Sequence, residues 1–339
     1  MNNNVLVIGN GFDLAHGLNT RYDDFIKFIK DKTYDKYPNN ENAAKIKRIV
    51  GNEKNGFINY FLAYINEVPG WVDLERLIKN IIHQFQNLFD HYMDYIIGKR
   101  FSERKMGGEL FDALKKFGFA KGICVYKNAG VQFSLEAYKE TYGLSRGEIV
   151  GKLRKELDDL VSALEAYFML ELEVNPIYGK TALGQIAEID PKYVISFNYT
   201  NTYKLYGIKA NDVFHVHGKL GSNPNNMVLG FNDEDETNLD FIYFKKYFQR
   251  IQKLTGYIDE RKMGVNDKPV VYFYGHSMDK TDGDIIQKLW SMSNGFIIYK
   301  YNQEDYEQKV INLIEVFGKK EATRMIQDKN IIFVQCARP

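Results

Sequence analysis

Cysteine is scarce, with only Cys124 and Cys336 in 339 residues. Two thiols so far apart exclude a four-cysteine zinc site within one chain. They suit a reducing compartment and give no reason to expect a structural disulfide. Charge of one sign is lacking as well: 45 Lys and Arg face 44 Asp and Glu, for a formal net charge of +1. That balance excludes a strongly basic nucleic-acid binder as the default, although it leaves a local basic patch open. No apolar run approaches the roughly 20 residues of a membrane span. The opening Met1-Asn2-Asn3-Asn4 lacks the basic stretch of a signal peptide, and Val5-Leu6-Val7-Ile8 is too short for its apolar region. Internal repeats, coiled-coil heptads and low-complexity tracts are missing too. The expectation is a soluble cytoplasmic protein with no membrane partner and nucleic acid disfavoured.

What the chain does have is an ordinary globular balance, 45 % hydrophobic and 26 % charged, with 24 Tyr and 23 Phe. The aromatics read first as core filling, and second as surfaces on which a base could stack. Val5 to Ile8, apolar on both faces and bounded by Gly9, reads as a buried parallel strand. A helix is expected through Tyr22, Phe25, Ile26 and Ile29. Residues 31–56, rich in Asn and Lys and holding Pro38, read as a loop or the edge of an insertion. From Leu74 the apolar positions step by three and four through Leu77, Ile78, Ile81, Ile82, Phe85, Leu88 and Phe89 to Ile96, which predicts a long amphipathic helix. A second such stretch runs from Ile149 to Phe168 and ends before Asn175-Pro176.

After Pro191 the pattern changes. Strands are expected at 193–197, 213–216, 227–229, 270–274, 295–299 and 331–334, with helices at 284–292 and 304–317. The resulting expectation is an α/β fold: a doubly wound, mostly parallel Rossmann-like sheet with a large helical insertion. The core is assigned to 1–35 and 186–339, and the helical insertion to 36–185.

Ligands of open parallel sheets bind at the carboxyl ends of the strands, and unusual polar residues gather at those places. The first strand ends in Gly9-Asn10-Gly11-Phe12-Asp13, the second in Asn198, the third in His217-Gly218, and another in Gly275-His276-Ser277. Gly9 and Gly11 fit either a tight turn or a loop whose amides approach a phosphate. Asp13 fits either a backbone cap or an acceptor for a ribose hydroxyl. Asn198 can orient a ribose or a water, or only satisfy its turn. His217 can serve as a general base or as a structural histidine. His215, two residues earlier, is expected to face the same side, but no third ligand suggests a metal, so none is expected. Ser277, Asp279, Asp282 and Asp284 can hold ribose hydroxyls or cap the following helix. Asp73 and Glu75, after Trp71, complement the dipole of the first insertion helix.

Taken together, residues 9–18 (Gly-Asn-Gly-Phe-Asp-Leu-Ala-His-Gly-Leu), Trp71-Val72-Asp73-Leu74-Glu75, Ser196-Phe197-Asn198-Tyr199-Thr200, His215-Val216-His217-Gly218 and Gly275-His276-Ser277 resemble the AbiH family of phage abortive-infection proteins. More distantly, residues 9–18 are similar to the first glycine-rich loop of sirtuin-like NAD-binding domains. Asn198 and His217 fall where those domains carry an Asn and the His of a His-Gly pair, and Gly275-His276-Ser277 resembles their ribose-binding loop. The resemblance implies an antiphage effector that binds a nucleotide, with NAD as substrate and no further cofactor, and hydrolyses its N-glycosidic bond. Asn198 and His217 would be catalytic. Gly9, Asn10, Gly11, Phe12, Asp13, Gly275, Ser277, Asp279 and Asp282 would hold the nucleotide. Thr200 stands where the second motif has Asp, and Asn10 and Asp13 replace small or neutral residues, which favours a ribose or base over pyrophosphate at the first turn. No zinc ribbon is present, which argues against a deacetylase. The alternative is a non-catalytic nucleotide sensor or partner-binding defence protein. A phage trigger, a partner protein and further copies of the chain are the candidate partners.

Overall fold

The computed structural model describes residues 4–51, 55–67, 73–91, 113–119, 125–127, 130–132, 145–178, 180–209, 212–232, 239–259 and 268–336. Trp71 and Cys124 lie outside these residues, as does the far end of the helix expected to reach Ile96.

The chain forms two compact units. The first comprises 1–21, 168–228 and 249–339, and the second 22–167 and 229–248. The first unit holds a six-stranded sheet: β1 (Val5–Ile8), β2 (Tyr193–Ser196), β3 (Val213–His215), β4 (Val270–Tyr274), β5 (Gly295–Lys300) and β6 (Ile331–Gln335). All five pairings are parallel, and the order across the sheet is β3-β2-β1-β4-β5-β6. That is the order of doubly wound mononucleotide-binding sheets, with the switch point between β1 and β4. β1 is fully buried and apolar because it is central and covered on both faces. Val5, Val7, Ile195, Phe197, Val271 and Phe273 pack on one face with Ile286 and Leu289 of the Gly283–Ser291 helix and Leu313 of the Gln303–Phe317 helix. Leu6, Ile8, Val194 and Tyr274 pack on the other, with Phe12, Ile186 and Tyr203.

One expectation needs correction, and one open alternative is narrowed. Met227, Val228 and Leu229 are fully buried but form no strand; the Val228 amide donates to the His217 carbonyl at 2.8 Å without a ladder. Residues 31–56 are not simply a loop. Thr33–Lys36 makes a 3-10 turn and Glu41–Val50 a helix, capped by the Asn40 side chain, which accepts from the Asn42 and Ala43 amides. Its buried stripe is only Ala43 and Ile46, too thin to stand out as a period.

The second unit is mainly helical. Tyr22–Lys30 buries Phe25, Ile26 and Ile29, with Asp23 and Asp24 in its first turn and Lys27 and Lys30 in its last, as the helix dipole favours. Gly56–Glu67 and Leu74–His91 follow, and Arg146–Val174 runs through the boundary into the first unit. Val125–Lys127 and Gly130–Gln132 pair as an antiparallel hairpin. Glu75 accepts an ion pair from the buried Lys246 at 2.6 Å, so it does more than complement a helix dipole.

Candidate functional site

The loop after β1 is held from every side. The Gly9 amide donates to the Tyr274 carbonyl at 3.1 Å, the Gly11 amide to Gly275 at 2.9 Å, and the Phe12 amide to Gly9 at 2.8 Å. The Tyr301 hydroxyl donates to the Gly11 carbonyl at 2.8 Å, and Thr20 donates to the Asn10 side-chain oxygen at 2.6 Å. A helix, Asn10–Ala15, starts at once. The loops after β1 and β4 touch so closely that a Cβ on Gly275 would lie 2.1 Å from the Phe12 nitrogen, and one on Gly9 would lie 2.7 Å from the Gly275 oxygen. Gly275 also has φ +67, a conformation that suits glycine. The amides of Gly9, Gly11 and Phe12 are therefore engaged within the fold.

Asp13, in that short helix, is 1 % exposed. Thr200 donates to its Oδ2 at 2.6 Å, Thr200 and Thr202 lie 3.2 Å apart, and Oδ1 has no hydrogen-bond partner. Burial pushes its pKa up to about 6, against the opposing pull of the polar side chains of Thr200, Thr202 and Asn198 nearby. Asn198 is pinned at β2's end: its side-chain amide donates to the Gly9 carbonyl at 3.0 Å, and Ser196 Oγ donates to its carbonyl at 3.0 Å.

The histidines separate. His215 ends β3 with its ring tilted at 60° to that of Tyr203, 5.8 Å between ring centres, and its buried Nδ1 lacks a hydrogen-bond partner. Burial pushes its pKa down to about 4. His217 lies beyond the strand end, where the alternation of side chains stops, and its ring meets Phe197 edge-on at 5.3 Å. The two rings thus join different clusters rather than one side. His217 Nε2 lies 3.0 Å from Asp282 Oδ1, with both residues buried. His276 Nε2 faces the second oxygen, Oδ2, at 3.8 Å, and Phe197 packs against His276 at 4.2 Å.

The remaining expected ligand residues lie around this centre. Asp279 caps the turn after β4, accepting from the Thr281 amide at 2.8 Å. Asp282 precedes the Gly283–Ser291 helix but makes no side-chain cap. Asp284 pairs with Arg250. Ser277 and Asn10 are exposed, and the Ser277 carbonyl accepts from Asn312 at 2.8 Å. Among the described residues, no three His, Cys, Asp or Glu side chains are placed to hold a metal ion.

Sequence reasoning reached His217 and Asp282 separately but not their pairing, and it passed over His276, Thr200 and Thr202 as side chains with partners. The signals were present: His276 sits between two expected ligand residues, and Thr200 and Thr202 alternate after the strand end. His16 is structural in its contacts. Its Nδ1–H donates to the Phe12 carbonyl at 2.6 Å, and Nε2 then accepts from the Tyr206 hydroxyl at 2.8 Å.

Sheet order and site together define an α/β protein of parallel, Rossmann-like strand order, with a buried His–Asp pair beyond its strand ends. Residues 5–299 match the family described as bacteriophage abortive infection AbiH, and the chain belongs to that family. The matched stretch contains all five groups of residues that carried the resemblance. No curated protein matches the chain, and no solved structure does. No helix among the described residues is long and apolar enough to cross a membrane.

Proposed function

We propose that this abortive-infection protein is an effector that binds a nucleotide at the strand ends around the β1–β4 switch point, takes NAD as substrate, and hydrolyses its N-glycosidic bond. The observation that carries the reading is the His217–Asp282 pair, 3.0 Å apart and buried. An ionised carboxylate beside Nε2 fixes the proton there and leaves Nδ1 as the basic nitrogen, the arrangement of an oriented general base. In the proposed step a water oxygen bonds to the ribose C1′, and the C1′–nitrogen bond breaks. Nicotinamide leaves with the bonding electrons, and His217 takes the water's proton.

Asn198, clamped to Gly9, orients the ribose or the water. The unmatched Oδ1 of Asp13 suits a ligand hydroxyl better than a phosphate, since carboxylates repel phosphate. Because the glycine amides are engaged, the phosphates fall to the exposed rim at Asn10 and Ser277, beside Gly275. The sirtuin-like reading of the core belongs to this proposal and draws support from Asn198 and His217 standing after β2 and β3.

The test is purified protein with NAD, with and without phage lysate, followed by chromatography of nicotinamide and ADP-ribose. Wild type is expected to release both, and His217→Ala and Asp282→Asn to lose about 10²-fold or more in rate. Wild type as inert as His217→Ala under every condition sinks the hydrolase. A second reading, a nucleotide sensor without turnover, is favoured by the enclosure of His217 and Asp282, 6 % and 7 % exposed. It predicts nucleotide binding by calorimetry, lost in Asn198→Ala, with no product in any sample.

A further inference from the structure

The loop after β4 contains a histidine to which the proposed chemistry gives no role. His276 is 4 % exposed. Its Nδ1 accepts the Met278 amide hydrogen at 3.0 Å. A ring nitrogen that accepts cannot carry a proton, so His276 is the Nε2–H tautomer. That N–H faces Asp282 Oδ2 at 3.8 Å, while Oδ1 of the same carboxylate takes His217 Nε2 at 3.0 Å.

Protonation of His276 at Nδ1 would break the bond from Met278, whose residue is fully buried and held at φ +63. The turn thus opposes an imidazolium at this place. At 3.8 Å, longer than a hydrogen bond, a neutral N–H biases the orientation of the carboxylate electrostatically without cancelling its charge, and that charge is what stabilises a proton on His217. Phe197 fills the space against both rings, 5.3 Å from His217 and 4.2 Å from His276. Other charges approach from the neighbouring elements: Arg250 pairs with Asp284 in the first turn of the helix that Asp282 precedes, and Asp279 faces the Thr281 amide. His215 belongs to the cluster around Tyr203.

We propose that His276 is a positioning residue, whose turn-locked Nε2–H aims the Asp282 carboxylate at His217. The inference rests on His217 being the base of the proposed hydrolysis, but its physical content, an ordered His217–Asp282 bond, is measurable without turnover.

Two substitutions separate the two nitrogens. In His276→Asn the side-chain oxygen takes the place of Nδ1 and keeps the Met278 contact, while the group facing Asp282 is lost. In His276→Gln the amide reaches the place of Nε2 and keeps a donor toward Asp282, while the Met278 contact is lost. The readout is the imidazole ¹H–¹⁵N spectrum of the full-length protein, with His217 assigned by its own substitution. Wild type is expected to show a slowly exchanging, downfield Nε2–H for His217. His276→Asn is expected to lose that signal while staying folded, and His276→Gln to recover it. With NAD, His276→Asn is expected to lower kcat about tenfold or more with KM within about twofold, and His276→Gln to restore most of the loss.

An unchanged His217 signal in both variants overturns the proposal, because Asp282 would then hold its place unaided. Equal loss in both overturns it too, because His276 would then serve only its turn. Absence of NAD cleavage in wild type with the Asn–Gln difference intact removes the hydrolase reading and leaves the positioning role standing.

Discussion

Asp13 is the residue whose chemistry departs furthest from what its neighbours require. A structural carboxylate at this depth would have both oxygens matched, yet Oδ1 has no partner and burial raises the pKa to about 6. Its folded-state value lies above the usual 3.8, so its stability contribution is full below about pH 4 and is lost as pH rises through about 6. Asp13→Asn removes that loss. The variant is expected to be more stable than wild type by roughly 1–3 kcal/mol above pH 6 and to show little gain at pH 4, by urea unfolding. A less stable variant at pH 7 would show that the ionised carboxylate is required by the groups around it and is structural. Little of this was legible in the sequence. A carboxylate five residues after a strand reads equally as a cap, and what distinguishes it is depth, which belongs to the folded chain. His217 was legible as a candidate base, but its partner lies far along the sequence, and no local spacing joins them.

Strands with a strong local signal were easier to read. β1 and β4 were legible because a short apolar run bounded by glycine has few alternatives. The Leu74–His91 helix was legible because its buried stripe repeats over several turns. The run 227–229 misled because burial alone, without a paired neighbour, makes the same apolar pattern as a strand. Lys319–Gln327, which buries only Ala322 and Met325 on an otherwise polar helix, gave too thin a stripe to be read. The contact between the β1 and β4 loops could not be read either, since it pairs backbone with backbone. It has a sharp consequence. Gly275→Ala places a methyl 2.1 Å from the Phe12 nitrogen at φ +67, so a loss of ~3 kcal/mol or more is expected, read as a lowered urea midpoint. A midpoint equal to wild type would mean that the two loops part without cost.

At the scale of the whole molecule, ionisable groups of opposite tendency share one pH range. Asp13 and Glu156, raised by burial to about 6 and about 7, lower stability as pH rises through those values. His215, lowered to about 4, gives stability that is present above pH 6.5 and lost as pH falls through 4, and His16 is depressed in the same direction. The slopes oppose each other, so the fall of wild-type stability with rising pH is expected to be partly offset between about pH 4.5 and 6.5, whereas His215→Phe is expected to slope downward more steeply. Denaturation across that range checks both, and a steep wild-type rise would contradict the raised carboxylates. The fold class and its interruption by helices were legible in the sequence from the shift to alternating strands and helices after Pro191. The return of 229–248 to the helical unit was not, because a unit's membership depends on long-range packing. The interruption also bears on synthesis. β1 leaves the ribosome early, yet Val5 waits for Tyr193 on one side and Val271 on the other. Until the segment carrying Gly275 and Asp282 has emerged, Gly9 lacks the loop it closes against and His217 has no carboxylate. A polypeptide cut short anywhere before that point therefore lacks both the closed loop pair and the His217–Asp282 contact, and is expected to be without whatever activity that contact supports.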